Sequence, residues 1–221
     1  MEHILSPQLC LRIFLLGAKQ TNLHDHKTSN LSYLNLDTEY LTGSNDPVRN
    51  FFRPCLREAS RYDRAVGYFR STVFLLIGQD LIDFSIKGGK VRLICSPQLE
   101  ENDIETLMMS KKHSEEILTN IVLKEFAELL KNDKTKYRAK VLATLIACGA
   151  LEIRLAIRDS HVGIYHEKLG VFYDNINNAV SFLGSSNESL SAWSTNGNYE
   201  RLEAFCSWND GREADRCNRH V

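Results

Sequence analysis

Apolar positions three and four residues apart dominate the first half of the chain and predict amphipathic helices there. The predicted helices are 71–89, which two glycines end, then 101–110, 114–132 and 135–148. Two short apolar runs among them, 62–69 and 90–97, predict strands. Helices that alternate with strands are typical of α/β proteins.

Shorter apolar runs replace the helical period in the second half of the chain. They predict strands at 151–157, 166–173, 179–185 and 199–208. Together the two halves predict an α/β fold in which a mixed β-sheet is flanked by helices. No repeat of 20 to 50 residues is present.

The two ends of the chain follow a different pattern. Residues 1–35 show no period and predict an irregular segment before a domain at 36–221, and the isolated pair His24 and His26 predicts a solvated loop rather than a metal site. At the other end, a helix that begins after Asn209 reaches the last residue without a Gly or Pro to stop it. We therefore expect this chain to be the N-terminal part of a longer protein.

A helix is also predicted near the start of the domain. Asp46 followed by Pro47 is a helix-start signal. The apolar residues that follow share one helical face, and Pro54 is expected to kink it. This face consists of Val48, Phe51, Phe52, Cys55 and Ala59.

Composition excludes several classes of protein. The 27 Lys and Arg against 28 Asp and Glu leave no global positive field, so nucleic-acid binding must depend on local patches. The six cysteines form no C-x-x-C pair, which favours a reducing, cytoplasmic location over disulfides or a zinc site. No apolar run reaches the roughly 18 residues that a membrane span needs. A soluble protein without a membrane partner is expected.

Polar residues interrupt two of the predicted strands. Residues two apart on a strand point to the same side, so His166 and Lys168 project together, as do Ser185 and Asn187. The Asn-rich stretch "DNINNA" between the strands favours a hairpin turn, which would bring both pairs onto one face.

Attack on a phosphate is the chemistry that suits these four side chains. An imidazole is a good nitrogen nucleophile near neutral pH, and a Lys ammonium neutralises phosphate oxygens. A Ser hydroxyl and an Asn amide donate hydrogen bonds to oxygens that gain charge in the transition state. The reaction needs no metal ion and no cofactor, and the sequence has no cluster of carboxylates to hold a metal.

The ordered set H-x-K, Asp, G-S-x-N resembles the signature of the phospholipase D superfamily. The matching residues are His166, Lys168, Asp174, Gly184, Ser185 and Asn187. Five residues separate Lys168 from Asp174, where the family has four, and Tyr173 occupies the usual place. In that family the Asp is more structural than catalytic.

Longer stretches, such as "GGKVRLICSPQL" and "NYERLEAFCSWND", resemble the phospholipase-D-like domain at the N-terminus of some bacterial helicase-bearing proteins of restriction and phage-defence type. This resemblance covers roughly residues 35–221. It implies a helicase domain or subunit as a partner.

The resemblance also implies a mechanism. His166 would attack phosphorus to form a phosphohistidine, and a second His from another copy of the motif would protonate the leaving group. Only one H-x-K exists in the chain, so a homodimer is implied, with the two motifs facing across a twofold axis. Glu200 either orients an imidazole or is an exposed strand residue.

Three functions remain open at this point. The first is a nuclease-type phosphodiesterase whose expected substrate is DNA, and the second is a catalytically weak DNA-binding and dimerisation module. The third is a lipid phosphodiesterase, which the absence of an amphipathic membrane-surface segment disfavours. Candidate cations for a nucleic-acid groove are Arg61, Arg64 and Arg70.

Overall fold

The computed structural model describes residues 29–69, 73–96, 141–142, 144–146, 148–156, 165–187, 189–194 and 196–221. Within these ranges seven strands form one sheet in the order β1, β7, β6, β5, β2, β3, β4. Their bounds are β1 Glu39–Leu41, β2 Arg61–Val66, β3 Lys90–Cys95, β4 Leu151–Leu155, β5 Lys168–Tyr173, β6 Ala179–Gly184 and β7 Arg201–Cys206.

The sheet is mixed. Strands β2, β3 and β4 pair in parallel, whereas β1, β7, β6, β5 and β2 pair antiparallel to their neighbours. The β5–β6 pair is the predicted hairpin, and Asn177 in its turn adopts a positive φ of 69°. The predicted α/β class with a mixed sheet flanked by helices is confirmed.

The helices of the described residues pack on both faces of this sheet. A π-helical turn at Val48–Phe52 leads into α1 (Arg53–Glu58), which α2 (Phe74–Ile86), α3 (Leu190–Trp193) and α4 (Arg212–His220) follow. Pro54 lies in the first turn of α1, where its missing N–H is tolerated, and the expected irregularity is the π-helical turn just before it. The apolar face predicted for this helix is buried.

An aromatic cluster fills the first face of the sheet. Tyr62 of β2 stacks on Phe172 of β5, with ring centroids 4.3 Å apart, and Phe52 stacks on Trp193 at 3.7 Å. The ring of Phe182 lies over Gly170, where a Cβ would overlap it. A glycine within a strand is therefore explained by the close approach of an aromatic ring.

Helix α4 covers part of the second face of the sheet. Its Cys217 is buried against Val171 and Ala179, and its His220 Nδ1 lies 2.8 Å from the Ser181 hydroxyl. Val221 is 63% exposed because it follows the last helical residue, His220.

Several boundaries differ from those that the pattern predicts. Leu31 belongs to the main core, so packing begins upstream of the boundary expected at residue 35. Strand β2 ends at Val66, and β5 begins only at Lys168. The helices predicted at 101–110 and 114–132, most of the one at 135–148, and His24 and His26 lie outside the described residues.

Candidate active site

Most of the predicted site residues lie together at one edge of the sheet. By edge we mean the side formed by the ends of the strands, and not an outer strand. At this edge β2 ends and β5 begins, with Val66 opposite Lys168 in the pairing register. Strand β6 ends at the same edge, where Gly184 pairs with Leu202 of β7. His166, Ser185, Asn187 and Glu200 lie in the segments that leave these strand ends. The edge brings them together because four neighbouring strands start or stop there.

His166 and Lys168 are in direct contact. The Lys168 Nζ atom lies 3.0 Å from His166 Nε2 and 3.2 Å from Nδ1. The imidazole is exposed, and Lys168 is half-buried. Burial lowers the pKa of Lys168, the positive charge of Arg64 lowers it further, and the carboxylates of Glu200 and Glu167 partly offset both effects.

Gly67, directly after β2, lies between His166 of the H-x-K motif and Asn187 of the G-S-x-N motif. A Cβ at this position would lie 2.7 Å from His166 Cδ2 and 3.2 Å from Asn187 Oδ1, so both side chains converge on its bare backbone. The neighbouring Tyr68 backbone N–H donates to Asn187 Oδ1 at 3.3 Å. This contact directs the amide NH₂ group of Asn187 away from Tyr68. No motif in the sequence marks Gly67, although a glycine directly after a strand often indicates a close approach of another segment.

Replacing Gly67 by Ala should misplace the imidazole. The added methyl group displaces the His166 ring, which lies at the surface and can move, so we expect the free energy of unfolding to change by only about 1 kcal/mol. We expect the phosphodiester cleavage that is proposed below to slow by about 10- to 100-fold, because small misplacements of reacting groups have large effects on rate. Single-turnover kinetics measure this change.

A matched control for this variant is Ala65→Ser. Ala65 lies on the same strand but lines a groove on the opposite face of the sheet. We expect this variant to cleave at the unaltered rate. Equal rates for Gly67→Ala and the unaltered protein would contradict the role given to Gly67.

Ser185 and Glu200 form a second pair at this edge. The Ser185 hydroxyl donates to the Glu200 carboxylate and accepts the Arg201 backbone N–H at 3.2 Å. The backbone of Glu200 is also held in place, because its N–H donates to the Thr42 hydroxyl at 2.7 Å. The hydroxyl proton of Ser185 therefore points to a carboxylate, whereas the Lys168 ammonium and the Asn187 amide can donate to an anion.

Asp174 lies at the opposite edge of the sheet. It follows the last residue of β5, about 20 Å from Lys168 at the usual rise per residue. Its buried carboxylate accepts the backbone N–H groups of Leu31, Ile176 and Asn178, each at 2.9 Å, and the Asn178 side-chain amide at 2.8 Å. The structure therefore does not bring Asp174 into the site, and its contacts are those of a residue that stabilises the hairpin turn.

The three candidate cations for a nucleic-acid groove have different surroundings. Arg61 lies at the Asp174 edge, with its guanidinium 3.8 Å from the Tyr173 ring centroid. Arg64 is only 4% exposed, and its Nη2 donates to the Ser186 carbonyl at 2.8 Å. Arg70 lies outside the described residues. Arg64 therefore supports the site from below and is not a surface contact for a polynucleotide.

Two further findings concern metals and membranes. Over the ranges given above, no group of three or more His, Cys, Asp or Glu side chains is placed to hold a metal ion. No helix in those same ranges is long and apolar enough to cross a membrane.

Comparison with known proteins finds likeness in solved structures. No protein-family model and no curated protein matches the chain. The yeast tyrosyl-DNA phosphodiesterase matches 66% of this chain at 12% identity with a TM-score of 0.33, and this chain spans 25% of that protein. Phosphatidylserine synthase from Haemophilus influenzae matches 82% at 12% identity with a TM-score of 0.45, over 37% of its own length. The archaeal chromatin protein TrmBL2 matches 79% at 13% identity with a TM-score of 0.34, over 48% of its length.

Proposed function

We propose that this protein is a metal-independent phosphodiesterase of the nuclease type, which cleaves nucleic acid, with DNA as the expected substrate, through a phosphohistidine on His166. The observation that carries the proposal is that His166 and Asn187 converge on the bare backbone of Gly67, with the Lys168 Nζ atom 3.0 Å from His166 Nε2. These side chains belong to the H-x-K motif, which ends at Lys168, and to the G-S-x-N motif, which begins at Gly184, 16 positions later in the sequence.

The reaction divides into two displacements at phosphorus. An imidazole nitrogen of His166 attacks, a P–N bond forms, and the P–O bond to the leaving nucleoside breaks. Lys168 and the Asn187 amide donate to the non-bridging oxygens, which gain charge in this step. Water then attacks the phosphohistidine and gives up one proton, the P–N bond breaks, and the strand end that carries the phosphate is released with His166 restored.

The leaving alkoxide needs a proton, and a second imidazole is the proposed donor. The sequence holds one H-x-K motif, so this imidazole would come from the His166 of a second copy in a homodimer. The exposure of His166 supports this arrangement, because a partner can reach the ring.

The homodimer predicts that an inactive chain inhibits an active one. Unaltered protein mixed and equilibrated with a large excess of His166→Ala chains should lose most of its activity per active chain, because most active chains then pair with an inactive partner. Purely additive activities, or full activity of a strictly monomeric species, would contradict the shared site.

The test of the function itself is cleavage of plasmid and single-stranded DNA in excess EDTA. Cleavage that is lost in His166→Ala supports the proposal. Cleavage that survives the mutation, or that EDTA abolishes, contradicts it. Release of headgroups from phospholipid vesicles without DNA cleavage would favour the lipid phosphodiesterase instead.

A second candidate function is a DNA-binding and dimerisation module with weak catalysis. The contact of Ser185 with Glu200 favours it, because the hydroxyl proton then points away from a bound phosphate. Salt-dependent DNA binding without turnover would distinguish it from the nuclease. In either case we propose that the chain is a module of a longer helicase-bearing protein of restriction or phage-defence type. The wider sequence resemblance supports this proposal.

A further inference from the structure

Arg64 is an unusual residue to find beneath this site. A guanidinium is rarely buried unless its environment compensates the loss of water, yet only 4% of Arg64 is exposed. Its side chain crosses the ring of Phe182, with the guanidinium carbon 4.9 Å from the ring centroid, and its Nη2 donates to the Ser186 carbonyl. Ser186 is the central residue of the segment 185–187, so the contact reaches the backbone between Ser185 and Asn187.

The pairing register places Arg64 behind Lys168. Val66 is opposite Lys168 and Arg64 is opposite Gly170, so Arg64 and Lys168 are diagonal neighbours on one face of the sheet. Gly170 places no side chain between Arg64 and Lys168, and the Phe182 ring occupies the space where a Gly170 Cβ would lie. The buried Arg64 guanidinium therefore lies behind the Lys168 ammonium, which is the more exposed of the two cations.

We propose that Arg64 is a positioning residue of this site, which fixes the 185–187 segment and places a second positive charge behind Lys168. The inference rests on the proposed function. In the first role, Arg64 holds the Asn187 amide in a fixed position relative to the His166 imidazole. The second strengthens the field that acts on phosphate oxygens as they gain charge, in surroundings where little water screens it.

The charge of Arg64 should be detectable through the titration of Lys168. Among the described residues, the charged groups that face the Lys168 ammonium are Arg64 on β2, Glu200 before β7 and Glu167 of its own segment, and the His166 imidazole lies beside it. Burial and Arg64 both lower the pKa of Lys168. Removal of the Arg64 charge should raise this pKa toward its ordinary value. A step that needs protonated Lys168 should then persist to higher pH.

The experiment measures this titration by NMR on the whole chain with isotope-labelled lysine, and Lys168→Arg assigns the signal. The variants are Arg64→Met, which removes the charge but retains a similar stem, and Arg64→Lys, which retains the charge but loses the planar fork. Arg61→Met is the matched control, since Arg61 belongs to the same strand but lies at the opposite edge. The pH profile of oligonucleotide cleavage in EDTA is recorded for each.

We expect the Lys168 titration and the alkaline limb of cleavage to move to higher pH in Arg64→Met and to return in Arg64→Lys. We expect kcat to fall about tenfold or more in Arg64→Met with KM nearly unchanged, because Asn187 loses its register. Arg61→Met should match the unaltered protein. If Arg64→Met does not fold, the titration in Arg64→Lys still decides, since it should match that of the unaltered protein.

An unshifted Lys168 titration in folded Arg64→Met, an equal shift in Arg61→Met, or a raised titration in Arg64→Lys would overturn the inference. These outcomes do not depend on turnover. If the unaltered protein cleaves nothing while the titration moves as expected, the proposed function fails and the charge coupling between Arg64 and Lys168 stands. If cleavage is present and the titration does not move, only the role given to Arg64 fails.

Discussion

Replacing His166 by Ala is expected to abolish phosphodiester cleavage, lowering kcat by about 10³-fold or more, as removal of a catalytic nucleophile does. The imidazole is the only nitrogen nucleophile of the proposed mechanism, and Lys168 beside it is a cation. Because His166 is exposed and lies outside the strands, its loss should leave the free energy of unfolding unchanged within about 0.5 kcal/mol. Single-turnover cleavage of a labelled oligonucleotide in EDTA measures the first effect, and urea unfolding measures the second.

His220→Ala is the matched control for this variant. His220 is half-buried on α4 and contacts Ser181 on the other face of the sheet. We expect its replacement to leave the cleavage rate of the folded fraction unchanged. A His166→Ala protein that cleaves within tenfold of the unaltered rate would remove His166 from the mechanism.

Replacing Asp174 by Ala is expected to destabilise the fold by about 3 kcal/mol, because it leaves buried donors without their acceptor. Those donors include the backbone N–H groups of Leu31 and Asn178, so the change loosens both the hairpin turn and the N-terminal segment that packs on it. The cleavage rate of the folded fraction should stay nearly unaltered, since Asp174 lies at the edge opposite His166. Urea unfolding and cleavage kinetics on the same preparation separate the two quantities.

Asn175→Ala provides the control in the same turn. Asn175 is exposed, so its replacement should change the free energy of unfolding by no more than about 0.5 kcal/mol. If Asp174→Ala unfolded at the same urea concentration as the unaltered protein but lost its activity, Asp174 would be catalytic and its structural role would be refuted.

A local pattern in the sequence predicted that His166 and Lys168 lie together, whereas Ser185 contacts Glu200 and not Asn187. The two-residue spacing of His166 and Lys168 requires only the alternation of an extended chain, and their contact at 3.0 Å follows from it. The Asn-rich turn likewise identified the β5–β6 hairpin. The α/β class was predictable because helices and strands bury one side with different spacings of apolar residues. Positions three and four apart predict helices, and short apolar runs predict strands.

Contacts between distant segments could not be predicted in the same way. Gly67 matters because His166 and Asn187 approach it from the segments before β5 and after β6, and no local period encodes that approach. As a candidate cation for a nucleic-acid groove, Arg64 is expected at the surface, yet the aromatic ring and the carbonyl that bury it come from β6 and the segment after it. The one-residue shift of Asp174 is accommodated because its partners are the turn and Leu31, at a distance from the site.

The most direct test of the account is to trap the covalent intermediate. The unaltered protein is mixed with a labelled single-stranded oligonucleotide in excess EDTA, quenched in alkaline denaturant before turnover is complete, digested and analysed by mass spectrometry. The account predicts an acid-labile nucleotide adduct on the peptide that contains His166, with none in His166→Ala. Cleavage in EDTA that proceeds through a single turnover with no adduct, or with the adduct on another residue, would contradict it.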